Sequence, residues 1–117
     1  MSFIRQFDSV ECHEGEPMRV VISGVPSIPG NTVYEKCKWL EKNDDQLRLL
    51  MLREPRGIPA TCCNLITNTN REDCVAGYII MEQVEYPMMS GGNTIAVATA
   101  LLETGMVPMT GPVTEFN

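Results

Sequence analysis

Pro87-Met88-Met89-Ser90-Gly91-Gly92-Asn93-Thr94-Ile95-Ala96-Val97-Ala98-Thr99-Ala100-Leu101-Leu102-Glu103-Thr104-Gly105 is the stretch that decides how the chain is read. Ile95–Glu103 predicts a helix, with Gly91, Gly92 and Asn93 before it and Gly105 where a C′ residue belongs. Its apolar residues, Ile95, Val97, Ala98, Ala100, Leu101 and Leu102, go nearly all the way round. A helix of that kind is enclosed on most sides.

The flanking sequence supplies strands to enclose it. Thr61–Thr67 and Val75–Met81 are strand-like, and the polar run Asn68–Asp73 between them predicts a hairpin. Met18–Ser23 is rich in β-branched residues and ends at Gly24, so it reads as another strand. Val25-Pro26-Ser27-Ile28-Pro29-Gly30 cannot continue a sheet ladder and reads as a loop. Asn31 or Thr32 can cap a helix through Tyr34, Cys37 and Leu40. Asn43-Asp44-Asp45 offers a second cap, for a helix carrying Leu47, Leu50 and Met51 that Pro55 stops. Pro112–Phe116 begins a further strand-like run, and the sequence stops within it, a hint of truncation. No repeat or low-complexity tract is visible. The expected class is α+β, a mixed or antiparallel sheet wrapped around one enclosed helix.

Composition narrows the function. The 117 residues (13.0 kDa) allow one domain. With 44% hydrophobic and 21% charged residues, the chain is not a disordered acidic tail. A net charge of -6 and a pI near 4.7 argue against nucleic acid and against an anionic membrane surface. The longest clean apolar run, Ile95–Leu102, is interrupted by Thr99 and falls far short of the roughly 20 residues of a membrane span. Met1–Asp8 has no apolar leader, so the chain reads as cytoplasmic. Cys12, Cys37, Cys62, Cys63 and Cys74 are odd in number and form no C-x-x-C pair, so reduced thiols are expected. Cys62 and Cys63 alternate in a strand, one facing the core and one away. His13 is the single histidine, which excludes two-histidine zinc motifs, and no metal site is expected.

Three segments can carry chemistry. Ser90 stands just before the helix, ahead of Gly91 and Gly92. The first helical amides have no internal partner and suit a carboxylate or phosphate. The same residues also fit a plain glycine-rich turn into a core helix. Cys12-His13-Glu14-Gly15-Glu16-Pro17-Met18-Arg19 gathers a thiol, an imidazole, two carboxylates and a guanidinium. It reads as an acid–base cluster or as a solvated loop before a strand, with Arg19 pairing locally. Arg53-Glu54-Pro55-Arg56-Gly57 reads as an anion-binding run or as a helix stop and tight turn.

In order, these segments resemble the proline racemase family, which includes hydroxyproline epimerases and trans-3-hydroxy-L-proline dehydratases. His13-Glu14-Gly15-Glu16-Pro17-Met18-Arg19-Val20-Val21 is similar to the family's H-T-x-G-E-P-x-R-V-V. Glu54-Pro55-Arg56-Gly57 matches E-P-R-G, and Met89-Ser90-Gly91-Gly92-Asn93-Thr94-Ile95 resembles M-C-G-H-N-T-I. The resemblance implies cofactor-independent racemisation or epimerisation at Cα of proline or hydroxyproline. Two acid/base groups would work from opposite faces, with the substrate carboxylate at helix N-termini. It makes Ser90 the catalytic residue, in the place of a cysteine, and Gly91, Gly92 and Asn93 the carboxylate-binding residues. His13, Glu16 and Arg56 become supports of the pocket.

Departures from the pattern bear on these expectations. Ser90 ionises far less readily than a thiol. In carrying serine here the chain resembles those family members associated with hydroxyproline epimerisation or with 3-hydroxyproline dehydration, a lyase reaction. Gly92 stands where the motif has histidine, and the opening motif is one residue short between His13 and Gly15. Ile58–Cys63 differs from the H-A-D-M-Y-G that often follows E-P-R-G. No cysteine here lies in the D-R-S-P-C-G-T-G-T context of the second catalytic residue. The resemblance therefore makes residues 1–117 the incomplete N-terminal half of a diaminopimelate-epimerase-like fold. Three outcomes stay open: an epimerase, a dehydratase, or a truncated non-catalytic remnant. The expected partners are a complementary C-terminal half or further copies of this chain.

Overall fold

In the computed structural model, residues 5–117 are described. Met1–Ile4, part of the stretch read for a leader, lie outside the described residues. Four strands form one mixed sheet: β1 (Asp8–Glu14), β2 (Glu16–Ser23), β3 (Cys62–Thr67) and β4 (Gly77–Met81), in the order β1-β2-β3-β4. β1 and β2 form an antiparallel hairpin whose tip is Gly15, at φ +71°. That left-handed value is one a glycine adopts without a Cβ clash. β2 and β3 run parallel, with Met18 opposite Cys62 and Val20 opposite Asn64. Parallel neighbours need a crossover, and the helices α1 (Val33–Asn43) and α2 (Gln46–Leu52) supply it. β3 and β4 form the antiparallel hairpin expected from the sequence. The last helix, α3, spans Gly91–Glu103.

The sheet separates two cores. On one face Val21, Cys63, Leu65, Ile79 and Met81 pack with Cys37 and Leu40 of α1 and Leu47, Met51 and Leu52 of α2. On the other, Met18, Val20 and Cys62 pack with Ala96, Val97, Ala100 and Leu101 of α3. Strand alternation makes this possible, since successive side chains leave opposite sides of the sheet.

Four expectations need correction. The segment containing Cys12–Pro17 is a β-hairpin rather than a solvated loop. Its outer strand is an exposed edge, so only Val10 and Cys12 carry apolar weight and the hydrophobic signal is faint. Cys62 and Cys63 are both buried, because helices cover both faces of the sheet. The sheet does not wrap α3: Ile95 is 53% exposed, and the helix buries one side against β1, β2 and β3. Its apolar circumference therefore remains partly open to solvent. Pro112–Phe116 forms no strand: Val75 donates one backbone hydrogen bond to the Asn117 carbonyl at 2.7 Å, while Phe116 packs on the α3 core.

Capping follows the sequence at α1. Thr32 Oγ1 accepts from the Glu35 amide at 3.1 Å, and Glu35 returns a carboxylate oxygen to the Asn31 amide at 2.6 Å. At α2 the Asp45 carboxylate does not cap. It accepts two bonds from Arg48, at 2.8 and 2.7 Å, and one from the Tyr86 hydroxyl at 2.8 Å. Arg48 also donates to the Gln83 carbonyl, tying α2 to the segment that leads from β4 to α3. Among the described residues no helix is long and apolar enough to cross a membrane.

Candidate active site

Ser90 is the N-cap of α3. Its backbone is extended (φ -154°, ψ 124°), and Oγ accepts from the Asn93 amide at 3.4 Å. The Thr94 amide continues the turn by donating to the Ser90 carbonyl at 3.0 Å. The amides of Gly91 and Gly92 have no partner among the described residues, as the geometry of a helix start dictates. Apart from its chain neighbours and the backbone of α3 itself, no atom of the described residues lies within 4 Å of the point where a Gly91 Cβ would stand, so the helix end is open at Gly91. Unpartnered amides and the positive end of the helix dipole favour an anion there.

A hydroxyl relay holds this helix end on the sheet. Thr94 Oγ1 donates to the Ser90 carbonyl at 2.8 Å, so its contact with the Tyr78 hydroxyl at 2.6 Å is accepted from Tyr78. Tyr78 lies on β4 and Thr94 in the first turn of α3. Sequence reading did not single out either residue. The alternation in Gly77–Met81 marks Tyr78 only as facing the α3 core. Asn93 is 1% exposed, and neither Nδ2 nor Oδ1 has a hydrogen-bond partner among the described residues. A buried polar side chain left unpaired costs about 1–3 kcal/mol, so the first turn of α3 is expensive to build this way.

The residues read as supports are distributed around the molecule. Glu16 lies on β2 beside Cys62, whose thiol contacts its carboxylate at 3.5 Å. Arg56 lines a cleft with Phe7, Glu11, Arg19 and Met51, on the face that carries α2. His13 is exposed on β1, one residue out of phase with Val10 and Cys12, which face α3. Glu14 is in phase with them, and its Oε2 stands 2.9 Å from the position a Gly92 Cβ would take. The hairpin tip thus reaches the α3 N-terminus through Glu14 rather than His13.

Two of the motif segments have structural explanations. The Arg19 guanidinium donates to Glu11 at 2.6 Å, to the Met51 carbonyl at 2.6 Å and to the Arg56 carbonyl at 2.8 Å. It thereby ties β2 to α2 and to the Glu54–Gly57 turn. Gly57 is buried, and a Cβ there would lie 2.2 Å from the Leu52 carbonyl oxygen. Only glycine permits the chain to pass so close to the end of α2.

Cys12, Cys37, Cys62 and Cys63 are not primed for acid–base work. Burial pushes Cys62 up to about 11, helped by the Glu16 carboxylate, and Cys63 up to about 12. Cys12 and Cys37 are raised as well, chiefly by burial. A raised thiol is a poor thiolate source at neutral pH.

Known proteins resemble this chain over most of its length. The proline racemase family matches residues 9–117. The proline racemase of Acetoanaerobium sticklandii is 39% identical over 118 residues, covering 100% of this chain and 35% of that protein. The 4-hydroxyproline 2-epimerase 1 of Rhizobium rhizogenes is 44% identical over 111 residues, covering 93% of this chain and 32% of that protein. A crystal structure of a hydroxyproline epimerase from Agrobacterium vitis, with bound trans-4-hydroxy-L-proline, superposes with a TM-score of 0.83 at 40% identity. That match covers 94% of this chain and 32% of the other. The chain therefore spans about a third of the length of these relatives. By its motifs, its fold and the extent of these matches, it belongs to the proline racemase family.

Proposed function

We propose that this chain is the N-terminal part of a diaminopimelate-epimerase-like protein that inverts Cα of proline or hydroxyproline without a cofactor. In this reading the Gly91 and Gly92 amides hold the substrate carboxylate, and Ser90 handles the Cα proton on one face. The observation that carries it is the open α3 N-terminus, with two unpartnered amides directly after the capping serine.

The chemistry follows from that geometry. Removing the Cα proton drives charge onto the carboxylate, and amides already aimed there stabilise it as it develops. Ser90 Oγ accepts from the Asn93 amide, which leaves its own O–H free to donate. An amide bond to the oxygen and the helix dipole both favour negative charge on Oγ. Asn93 then contributes its amide to Ser90 rather than to the substrate. The opposite face needs a second group, and the raised cysteines of this chain are poor candidates. A complementary C-terminal half supplies it in this reading. A cytoplasmic setting fits the five free cysteines.

The weak basicity of a serine hydroxyl supports a second reading, dehydration of trans-3-hydroxy-L-proline, where loss of the 3-hydroxyl follows Cα deprotonation. The test is exchange in D2O with the product of the reading frame that runs through Asn117. Deuterium entering Cα of 4-hydroxyproline with inversion is the expected result. A cyclic imine formed from trans-3-hydroxy-L-proline supports the lyase. Absence of both overturns the enzyme reading in favour of a non-catalytic remnant.

A further inference from the structure

We propose that Glu14 is the ammonium-reading residue of this site, and that Gly92 makes room for it. The inference rests on the carboxylate site proposed above and deepens it. Glu14 closes β1 at the hairpin tip, where the left-handed Gly15 turns the chain into β2. A Cβ at residue 92 would meet Glu14 Oε2 at 2.9 Å and Met18 Cε at 3.2 Å. The absence of that Cβ is what allows a carboxylate to stand against the first turn of α3. Glu14 enters no ion pair or hydrogen bond among the described residues: the five ion pairs take Asp44, Glu11, Glu41, Asp45 and Asp73 as their acids.

A proline-class substrate carries two charges, a carboxylate and a ring ammonium with two N–H donors. The Gly91 and Gly92 amides match the first, and only an acceptor can match the second. Thr94 Oγ1 is already engaged by Tyr78 and by the Ser90 carbonyl. Glu14 brings an unpaired anionic acceptor to the same helix end. Its charge also disfavours a simple anion, so the pair of features selects a zwitterion over a plain carboxylate.

The test follows the Gly91 and Gly92 amide resonances of the 117-residue chain during titration with L-proline and, separately, with cyclopentanecarboxylate, which has the ring and carboxylate but no nitrogen. The intact chain is expected to prefer L-proline by about tenfold or more, the scale of one charge-assisted hydrogen bond. E14Q keeps the shape of the side chain and should abolish the preference by weakening L-proline alone. E14D, with a shorter acid, should restore part of it. Equal weakening of both probes by E14Q, or no change, overturns the role of Glu14 and leaves the carboxylate site standing. If neither probe moves these amides in the unsubstituted chain, the carboxylate site itself fails, and the role of Glu14 with it.

Discussion

Ser90 both caps α3 and faces the open helix end, and two substitutions separate these roles. S90A removes the Oγ that accepts from the Asn93 amide and should cost about 1 kcal/mol of stability, measured by urea unfolding. S90D keeps a good N-cap side chain, so stability should hold within a few tenths of a kcal/mol. It also puts a negative charge where the ligand carboxylate would sit, so carboxylate binding should be lost. Gly57 gives a sharper structural test. G57A drives a Cβ against Leu52 backbone atoms that cannot give way, and should cost about 3 kcal/mol or prevent folding. G92A meets only the flexible ends of Glu14 and Met18, so its unfolding midpoint should stay near that of the parent chain. Equal losses in G57A and G92A would contradict this account of the two glycines.

At the scale of elements, ion pairs and carbonyl contacts join pieces that the sheet alone does not hold. The Arg48 guanidinium, with help from the Tyr86 hydroxyl, holds the Asp45 carboxyl below its usual range. A group whose pKa is lowered by folding stabilises the fold when ionised and loses that contribution as pH falls through its titration. The chain should therefore lose stability on acidification below about pH 4, the ordinary range of an aspartate. D45N should be less stable at neutral pH and show a flatter acid limb, as read by thermal melts from pH 7 to 3. An unchanged acid limb in D45N would rule Asp45 out as its source. Arg19 acts similarly between β2, α2 and the Glu54–Gly57 turn, and R19K should lose part of its three-way contact, about 2 kcal/mol.

These elements also show what was legible in sequence. β2, the β3–β4 hairpin, α1 with its Thr32 cap, and α3 announced themselves through β-branched runs, turn residues and capping patterns. β1 did not, because an exposed edge strand carries little apolar alternation. The openness of α3 was misread because apolar residues all round a helix state a need for cover without saying which chain provides it. Ser90 was legible as the residue that starts α3 because N-cap chemistry is local. That Glu14, Tyr78 and Thr94 come together at the α3 N-terminus was not legible, because it depends on which strands lie beside α3.

The whole molecule leaves two sheet edges and several apolar surfaces uncovered. β1 and β4 are the sheet edges, and β4 has cavities of about 430 and 420 Å³ beside it, one lined by Tyr78, Val97, Leu101 and Phe116 and the other by Val33, Cys37 and Ile79. Met88, Met89, Ile95 and Met106 are exposed and add apolar surface. Open strand edges and uncovered apolar helix surface recruit other chains. The 117-residue chain should therefore self-associate, giving a sedimentation mass above 13.0 kDa that rises with concentration. A compact monomer across that range would contradict the prediction.

The central claim is that the N-terminus of α3 is a carboxylate site built around Ser90. Its most direct test is an amide-resolved NMR titration of the chain with trans-4-hydroxy-L-proline, in the unsubstituted form and in S90D. The account predicts saturable shifts centred on Gly91 and Gly92 that disappear in S90D. Shifts centred instead on Arg19 and Arg56, in the cleft beside α2, would contradict it.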